Sequence, residues 1–191
     1  MKAIRTFVAV LIAEDLKGKI AQVQGQVKKL APDVKWVAPE NFHVTLKFLG
    51  SVREDEIEQV CTAVDDAARA FSPFEIAVSG LGAFPSPARA RVVWTGIQVG
   101  REQLCDLAAA VDAGLSKLGF ERENKAFKGH ITIGRVKTSR HLGRLAAGIE
   151  GVDACDLGTQ QVSSVAVMQS ELLREGPVYS PVSESKLSGG K

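Results

Sequence analysis

HVTL at His43–Leu46 and HITI at His130–Ile133 spell one pattern twice, His-x-Thr-apolar, about half a chain apart. The chain has only three histidines among 191 residues, so finding two of them in the same setting marks a repeat. Successive strand side chains face opposite sides, which places His43, Thr45 and Lys47 on one face and Val44, Leu46 and Phe48 on the other. The second copy divides the same way, His130 and Thr132 against Ile131 and Ile133. A polar face backed by an apolar one predicts a strand with one side on the core and the other lining a site.

The surroundings repeat as well. Residues 5–13 read as a strand, and residues 14–30 as a helix with Leu16, Ile20, Val23, Val27 and Leu30 at helical spacing. The HVTL strand follows, then a helix over 54–71 and a strand over 74–84 ended by Pro85 and Pro87. This βαβαβ order restarts with a strand at 91–100, a helix at 101–118 closed by Gly119, the HITI strand, a short helix near 140–149 and a strand through 162–168. Arg5 maps onto Arg91, His43 onto His130 and Val78 onto Val165, at offsets of 86, 87 and 87 residues. Too few copies exist for a solenoid, so two similar lobes related by a pseudo-twofold axis are the economical arrangement. If the signature strands lie centrally, both histidines meet in one cleft. The expected fold class is α/β (α+β): a bilobal, duplicated βαβαβ unit with mainly antiparallel sheets around that cleft. The expected organisation is one domain over 1–191, with repeat 1 at about 5–84, repeat 2 at about 91–172 and a C-terminal hairpin at 173–187 holding Tyr179 near its second strand.

Composition narrows the classes of function. Apolar residues make up 45% and charged residues 24%, the profile of a globular protein with a real core. A net charge of +2 announces no polyanion partner by itself, because placement matters more than the sum. Cys61, Cys105 and Cys155 are odd in number and lack metal-type spacing, which predicts free, mostly buried thiols in a reducing cytoplasm. The apolar run at 7–13 leads straight into Glu14 and Asp15, so it reads as a buried strand and not as a signal peptide. No stretch approaches the roughly 20 apolar residues of a membrane span.

Two imidazoles and two hydroxyls on a common floor suit phosphoryl chemistry. Imidazole titrates near neutrality, so one histidine can take a proton from an attacking oxygen while the other delivers one to the leaving oxygen. In-line displacement needs these groups on opposite sides of the phosphorus, and a twofold pair supplies that. Thr45 and Thr132 can donate to non-bridging oxygens, and cationic Lys47 or Arg135 can balance the negative charge. Strict alternation puts Arg135 with Ile131 and Ile133, away from the cleft, unless Gly134 breaks the pleat or the strand ends there. Lys47 needs no such exception. A two-histidine metal site is the rival reading, but the same strand faces offer no third ligand. Strand geometry makes the two histidines equivalent and leaves donor and acceptor open.

The paired signatures, the RTFVAV opening, the GAFPSPARARVVW stretch and the QSELLREGPVY ending resemble the two-histidine phosphoesterase superfamily, specifically the bacterial and archaeal RNA 2′,3′-cyclic phosphodiesterases, also called 2′-5′ RNA ligases. The resemblance spans nearly the whole chain. It implies a bilobal fold with both motifs in a central cleft, and opening of a terminal 2′,3′-cyclic phosphate to a 2′-phosphate without metal or other cofactor. It further implies His43 as proton donor, His130 as proton acceptor, and Thr45, Thr132 and Arg135 as phosphate contacts. The strained cyclic ester already holds its leaving oxygen, so positioning, two proton transfers and charge stabilisation suffice. Consistently, the chain carries no GxxxxGK[ST], GxGxxG or HExxH motif.

Between Arg122 and Arg144 the cations Arg122, Lys125, Lys128, Arg135, Lys137, Arg140 and Arg144 face one acid, Glu123. A solvated surface is the default reading of such a rim, and phosphate contacts that add affinity without reading sequence are the functional alternative. Phe42, Phe84 and Trp94 are candidate stacking surfaces for a terminal base, and core packing is the alternative for each. His141 receives no role. Expected partners are RNA ends or nucleotides bearing a 2′,3′-cyclic phosphate, with no membrane and no obligatory protein partner, the chain acting as a monomer. A binding module that holds such an end without turnover, or an enzyme acting on a small cyclic nucleotide, are the alternatives.

Overall fold

The computed structural model describes residues 2–138, 140–152, 156–174 and 176–189. Strands are β1 (Ala3–Leu11), β2 (Val34–Trp36), β3 (His43–Arg53), β4 (Phe74–Phe84), β5 (Val92–Val99), β6 (His130–Val136), β7 (Asp156–Val162), β8 (Ser164–Leu172) and β9 (Pro177–Lys186). Helices are α1 (Glu14–Lys28), α2 (Ile57–Arg69), α3 (Arg101–Ser116) and α4 (Leu142–Glu150). The strands form one curled sheet in the order β7-β4-β5-β6-β3-β1-β8-β9, with β2 beside β6. Every pairing is antiparallel.

That order is a palindrome about the β6–β3 junction: β5 answers β1 and β4 answers β8. The third strand of each expected repeat crosses over, since β4 pairs with β5 and β8 with β1. Each half of the sheet therefore draws on both expected repeats. The strand expected at 162–168 is two strands that meet at Ser163, β7 along β4 at one side and β8 between β1 and β9 at the other. Buried Val162 and Val165 carry the apolar pattern across this corner, which hides the break from a periodicity argument.

The pleat sorts side chains between two faces. Val8 and Val10 of β1, Val44 and Leu46 of β3 and Ile131 and Ile133 of β6 join the main core, with Leu16 and Ile20 of α1, Val60 and Val64 of α2 and Leu104, Leu107 and Val111 of α3. Alternate residues Phe7 and Ala9 enter a separate small cluster with Ala166, Met168 and Tyr179. The helices cover the first face and leave the second as the cleft. Each fully buried valine or leucine stabilises this arrangement by about 1.5–3 kcal/mol. Of the cysteines, Cys61 is half-buried and Cys105 is exposed, both free. This corrects the buried-thiol expectation: Cys105 sits on the outer side of α3, between the core residues Leu104 and Leu107. Cys155 lies outside the described residues.

One buried ion pair ties the two halves. Lys47 Nζ donates to Asp112 Oδ1 of α3 at 2.6 Å and to the Glu121 carbonyl at 2.7 Å, the paired side chains being 7% and 11% exposed. Asp112 also accepts from the Glu123 amide at 3.2 Å and meets Arg122 Nε at 2.6 Å. Burial alone would raise the Asp112 pKa, but these donors and charges outweigh it and hold the carboxyl below its ordinary value. The first signature strand thereby pins the segment that leads into the second. Lys47→Met should cost about 3 kcal/mol, the low end for a buried pair losing one partner, because Arg122 and the Glu123 amide remain to Asp112. Urea denaturation checks this, and a change within about 0.5 kcal/mol would assign the pair no structural weight.

Candidate active site

β3 and β6 meet through a single paired position, Val44 opposite Ile131. This sets His43 and His130 on adjacent strands, close enough for the charge of one to act on the other. His43 Nδ1 lies 2.8 Å from the Asn41 carbonyl and His130 Nδ1 lies 2.6 Å from the Lys128 carbonyl, two residues upstream in each case. A carbonyl only accepts, so both Nδ1 atoms carry the proton and donate. In the neutral ring Nε2 then holds the lone pair. His43 Nε2 meets Thr45 Oγ1 at 2.9 Å. His130 Nε2 has no protein partner among the described residues.

Both strands break their pleat at the same place. On β3, Thr45 faces Ala9 and Lys47 faces Val8, leaving Leu46 as an extra residue. On β6, Thr132 faces Trp94 and Gly134 faces Val93, leaving Ile133 as the extra one. A bulge three residues after each histidine reverses the alternation beyond it. Lys47 and Gly134 therefore turn to the helix-covered face, and Phe48 and Arg135 turn to the cleft.

This corrects two sequence expectations. Lys47 is not a phosphate ligand: the bulge drives it under α3, where Asp112 takes it. Phe48 is not core but 64% exposed, its ring centroid 6.0 Å from that of Phe7. Arg135 reaches the cleft side by the required break in the pleat, located at Ile133 and so one residue earlier than Gly134. Its positive charge acts on both imidazoles.

Aromatic rings wall each histidine. Phe84 stands edge-on to His130 at 5.1 Å, with Trp94 at 6.4 Å. The Trp94 indole lies flat over Gly82, where a Cβ would come within 2.3 Å of it. Phe7 at 4.9 Å and Tyr179 at 5.4 Å flank His43. Phe42 does not belong to this set: it is 1% exposed in the core and cannot stack on a base. Sequence reasoning missed Phe7 and Phe48. The alternation of Phe7 with buried Val8 and Val10 held the signal for the first, whereas nothing local marks the bulge that exposes the second. His141 pairs with Asp33 at 2.8 Å, away from the histidine pair.

Burial presses both imidazoles toward the neutral form and lowers their pKa below the ordinary 6.5. The carbonyl bonds from Asn41 and Lys128 work against that shift without cancelling it, and Arg135 adds to it; His43 also feels the charge of His130. Two neutral rings, two hydroxyls and one guanidinium thus share a floor suited to an anion. Among the described residues no group of three or more His, Cys, Asp or Glu side chains gathers to hold a metal ion, and no helix is long and apolar enough to cross a membrane.

Comparison with known proteins decides the family. The family model for LigT-like phosphoesterases matches residues 10–94 and again 97–179. The chain belongs to the LigT-like phosphoesterases. A relative from Methanothermobacter thermautotrophicus is 37% identical over 184 residues, covering 96% of this chain and 99% of its own, and one from Aeropyrum pernix is 35% identical over 88% and 95%. Both carry the name RNA 2′,3′-cyclic phosphodiesterase. The crystal structure of TT0787 of Thermus thermophilus superposes with a TM-score of 0.81 at 28% identity, covering 97% of this chain and 99% of that one. As LigT-like phosphoesterase repeats, the two matched segments each contain one His-x-Thr strand.

Removing the Arg135 charge should favour the protonated imidazoles. In Arg135→Gln, NMR titration should find both histidine midpoints raised from the wild-type values, which themselves fall below 6.5. Unchanged midpoints would place Arg135 away from the pair.

Proposed function

We propose that this chain hydrolyses RNA 2′,3′-cyclic phosphate ends to 2′-phosphates by metal-independent acid–base catalysis. What carries the proposal is the pair of half-buried imidazoles, each anchored through Nδ1 and opening through Nε2 from adjacent strands into one cleft. The name shared by the full-length relatives supports the substrate. His130 accepts a proton from water as its oxygen bonds to phosphorus. The P–O3′ bond breaks on the opposite side, and His43 protonates the departing 3′-oxygen. The products are a 3′-hydroxyl and a 2′-phosphate, and proton exchange with solvent resets the two rings. Thr45, Thr132 and Arg135 hold the non-bridging oxygens, which carry the charge of the transition state. With an RNA 5′-hydroxyl in place of water as the attacking group, the same two proton transfers open the cyclic phosphate and join the RNA ends through a 2′-5′ linkage. Phe84 and Trp94 beside His130 offer a stacking wall for the terminal base. The assignment of donor and acceptor follows the family resemblance, the cytoplasmic location follows the cysteine usage, and a monomer is part of the same proposal.

Histidine-to-alanine substitution at position 43 or 130 should lower kcat on a cyclic-phosphate oligonucleotide by about 10²–10⁴-fold, with wild-type turnover unaffected by chelator. Full activity in either variant, or loss of wild-type turnover with chelator, overturns the scheme. Binding of the oligonucleotide without wild-type turnover would identify a binding module instead. On a nucleoside 4-nitrophenyl phosphodiester, whose leaving group needs no proton, His43→Ala should recover most of the rate and His130→Ala should not. The reverse result exchanges the two roles.

The pH dependence follows from the lowered imidazole pKa values. A base must be unprotonated in the free enzyme, so the rising limb of kcat/KM should fall below pH 6.5. Bound anionic phosphate favours protonated imidazole and moves the kcat profile to higher pH. A kcat/KM limb above about pH 7 would contradict the burial of the pair.

A further inference from the structure

Beside the catalytic arginine the sheet holds a second cation for which the chemistry above has no use. β2 pairs with β6 in the register Val34–Val136, Lys35–Arg135 and Trp36–Gly134. Directly opposite residues of an antiparallel pair point the same way, with Cβ atoms about 5 Å apart. Val34 is buried and Trp36 packs on the main core, so Lys35 projects with Arg135 toward the cleft. Gly134 permits this approach: a Cβ there would lie 2.8 Å from Val34 Cγ1 and 2.9 Å from Trp36 Cε3. Lys35 and Arg135 are both exposed, and neither has an acidic partner among the described residues. The nearest acid in sequence, Asp33, is engaged with His141.

Like charges placed directly opposite one another destabilise a sheet. The equivalent place in the other half is built differently. With the repeat offset of 87 residues, Lys35 corresponds to Arg122 and Arg135 to Phe48. Arg122 is neutralised by Asp112, and Phe48 is apolar. Two open cations at directly opposite positions therefore occur on one side of the cleft, and the face beside His43 is lined by Phe7, Phe48 and Tyr179.

We propose that Lys35 forms, beside Arg135, a second phosphate site that takes the internucleotide phosphodiester one nucleotide from the reacting cyclic phosphate, and so selects RNA ends over cyclic mononucleotides. The inference rests on the proposed activity and adds a specificity residue to it. Lys35 touches no reacting atom. Arg135 serves the cyclic phosphate, and the lysine next to it meets the phosphate that follows along the strand. The asymmetry also sets the direction in which the RNA enters, its backbone over the cationic end.

The test compares a nucleoside 2′,3′-cyclic phosphate lacking any other phosphate with a dinucleotide ending in the same group, for wild type, Lys35→Ala and Lys35→Arg. Lys35→Ala should raise KM for the dinucleotide about fivefold, the effect of one exposed charge pair, and leave kcat and the mononucleoside within about twofold. Lys35→Arg should restore the dinucleotide KM. For Lys35→Ala the slope of log affinity against log salt should flatten by about 0.7, one phosphate's share on a single strand. Equal losses on both substrates would place Lys35 on the reacting phosphate, and no loss on either would leave it without an RNA contact; each overturns the proposal. Should wild type turn over neither substrate, the activity fails while the site is still decided by titration. Lys35→Ala must then bind a dinucleotide 2′-phosphate more weakly than wild type but a nucleoside 2′-phosphate equally well.

Discussion

Everything in the cleft depends on the single bridge at which Val44 meets Ile131. Both residues are fully buried, and their neighbours on either side are the site: His43 and Thr45 on one strand, His130 and Thr132 on the other. Antiparallel pairing at that point makes the two histidines related by an approximate twofold axis. Beyond it the strands part company. β6 takes β2 as its neighbour, while the end of β3 is held to α3 and the segment at Glu121–Glu123 by Lys47. A longer β3–β6 ladder would close the space in which β2 brings Lys35 beside Arg135.

Symmetry supplies the proposed acid–base pair, and departures from symmetry distinguish its two members. The bulges at Leu46 and Ile133 are equivalent, so the residues that follow are presented in equivalent ways. Their chemistry differs. The position four after the histidine is Lys47 in one strand and Gly134 in the other, which exchanges a buried ion pair for room to dock β2. The position five after is Phe48 in one and Arg135 in the other, which puts a guanidinium charge beside the imidazoles from one strand only. A duplicated scaffold thus presents a cleft that is not itself symmetric.

How far the sequence carries follows from these details. The strands and helices were legible because apolar spacing is a local property: β1, α1, β3, α2 and β4 fall where the periodicity of Phe7 to Val10 and Leu16 to Val27 puts them. The histidines were legible because each motif lies before its bulge, where strict alternation still holds. Lys47, Phe48 and Arg135 were not, because one inserted residue reverses every face beyond it and leaves no mark in composition. The exchange of β4 and β8 between halves was equally hidden, since strand pairing is decided by tertiary contacts. Phe42 looked available beside His43, yet at 1% exposed it belongs wholly to the core.

The lowered imidazole pKa values give the site its reason for holding an arginine. Two half-buried rings near a guanidinium resist protonation in the free protein, and a proton placed on one ring discourages a second on the other. An arriving phosphate anion offsets the guanidinium charge and removes much of that resistance. Repulsion between the rings persists, so a proton on one imidazole still discourages a second on its neighbour. In the proposed mechanism one imidazole acts as acid and its neighbour as base, the state that in-line chemistry needs. Protonation is in this way coupled to occupancy: burial and, in smaller part, Arg135 oppose protonation of the empty site, and in the proposed mechanism the same arginine becomes a ligand of the phosphate once the anion is bound.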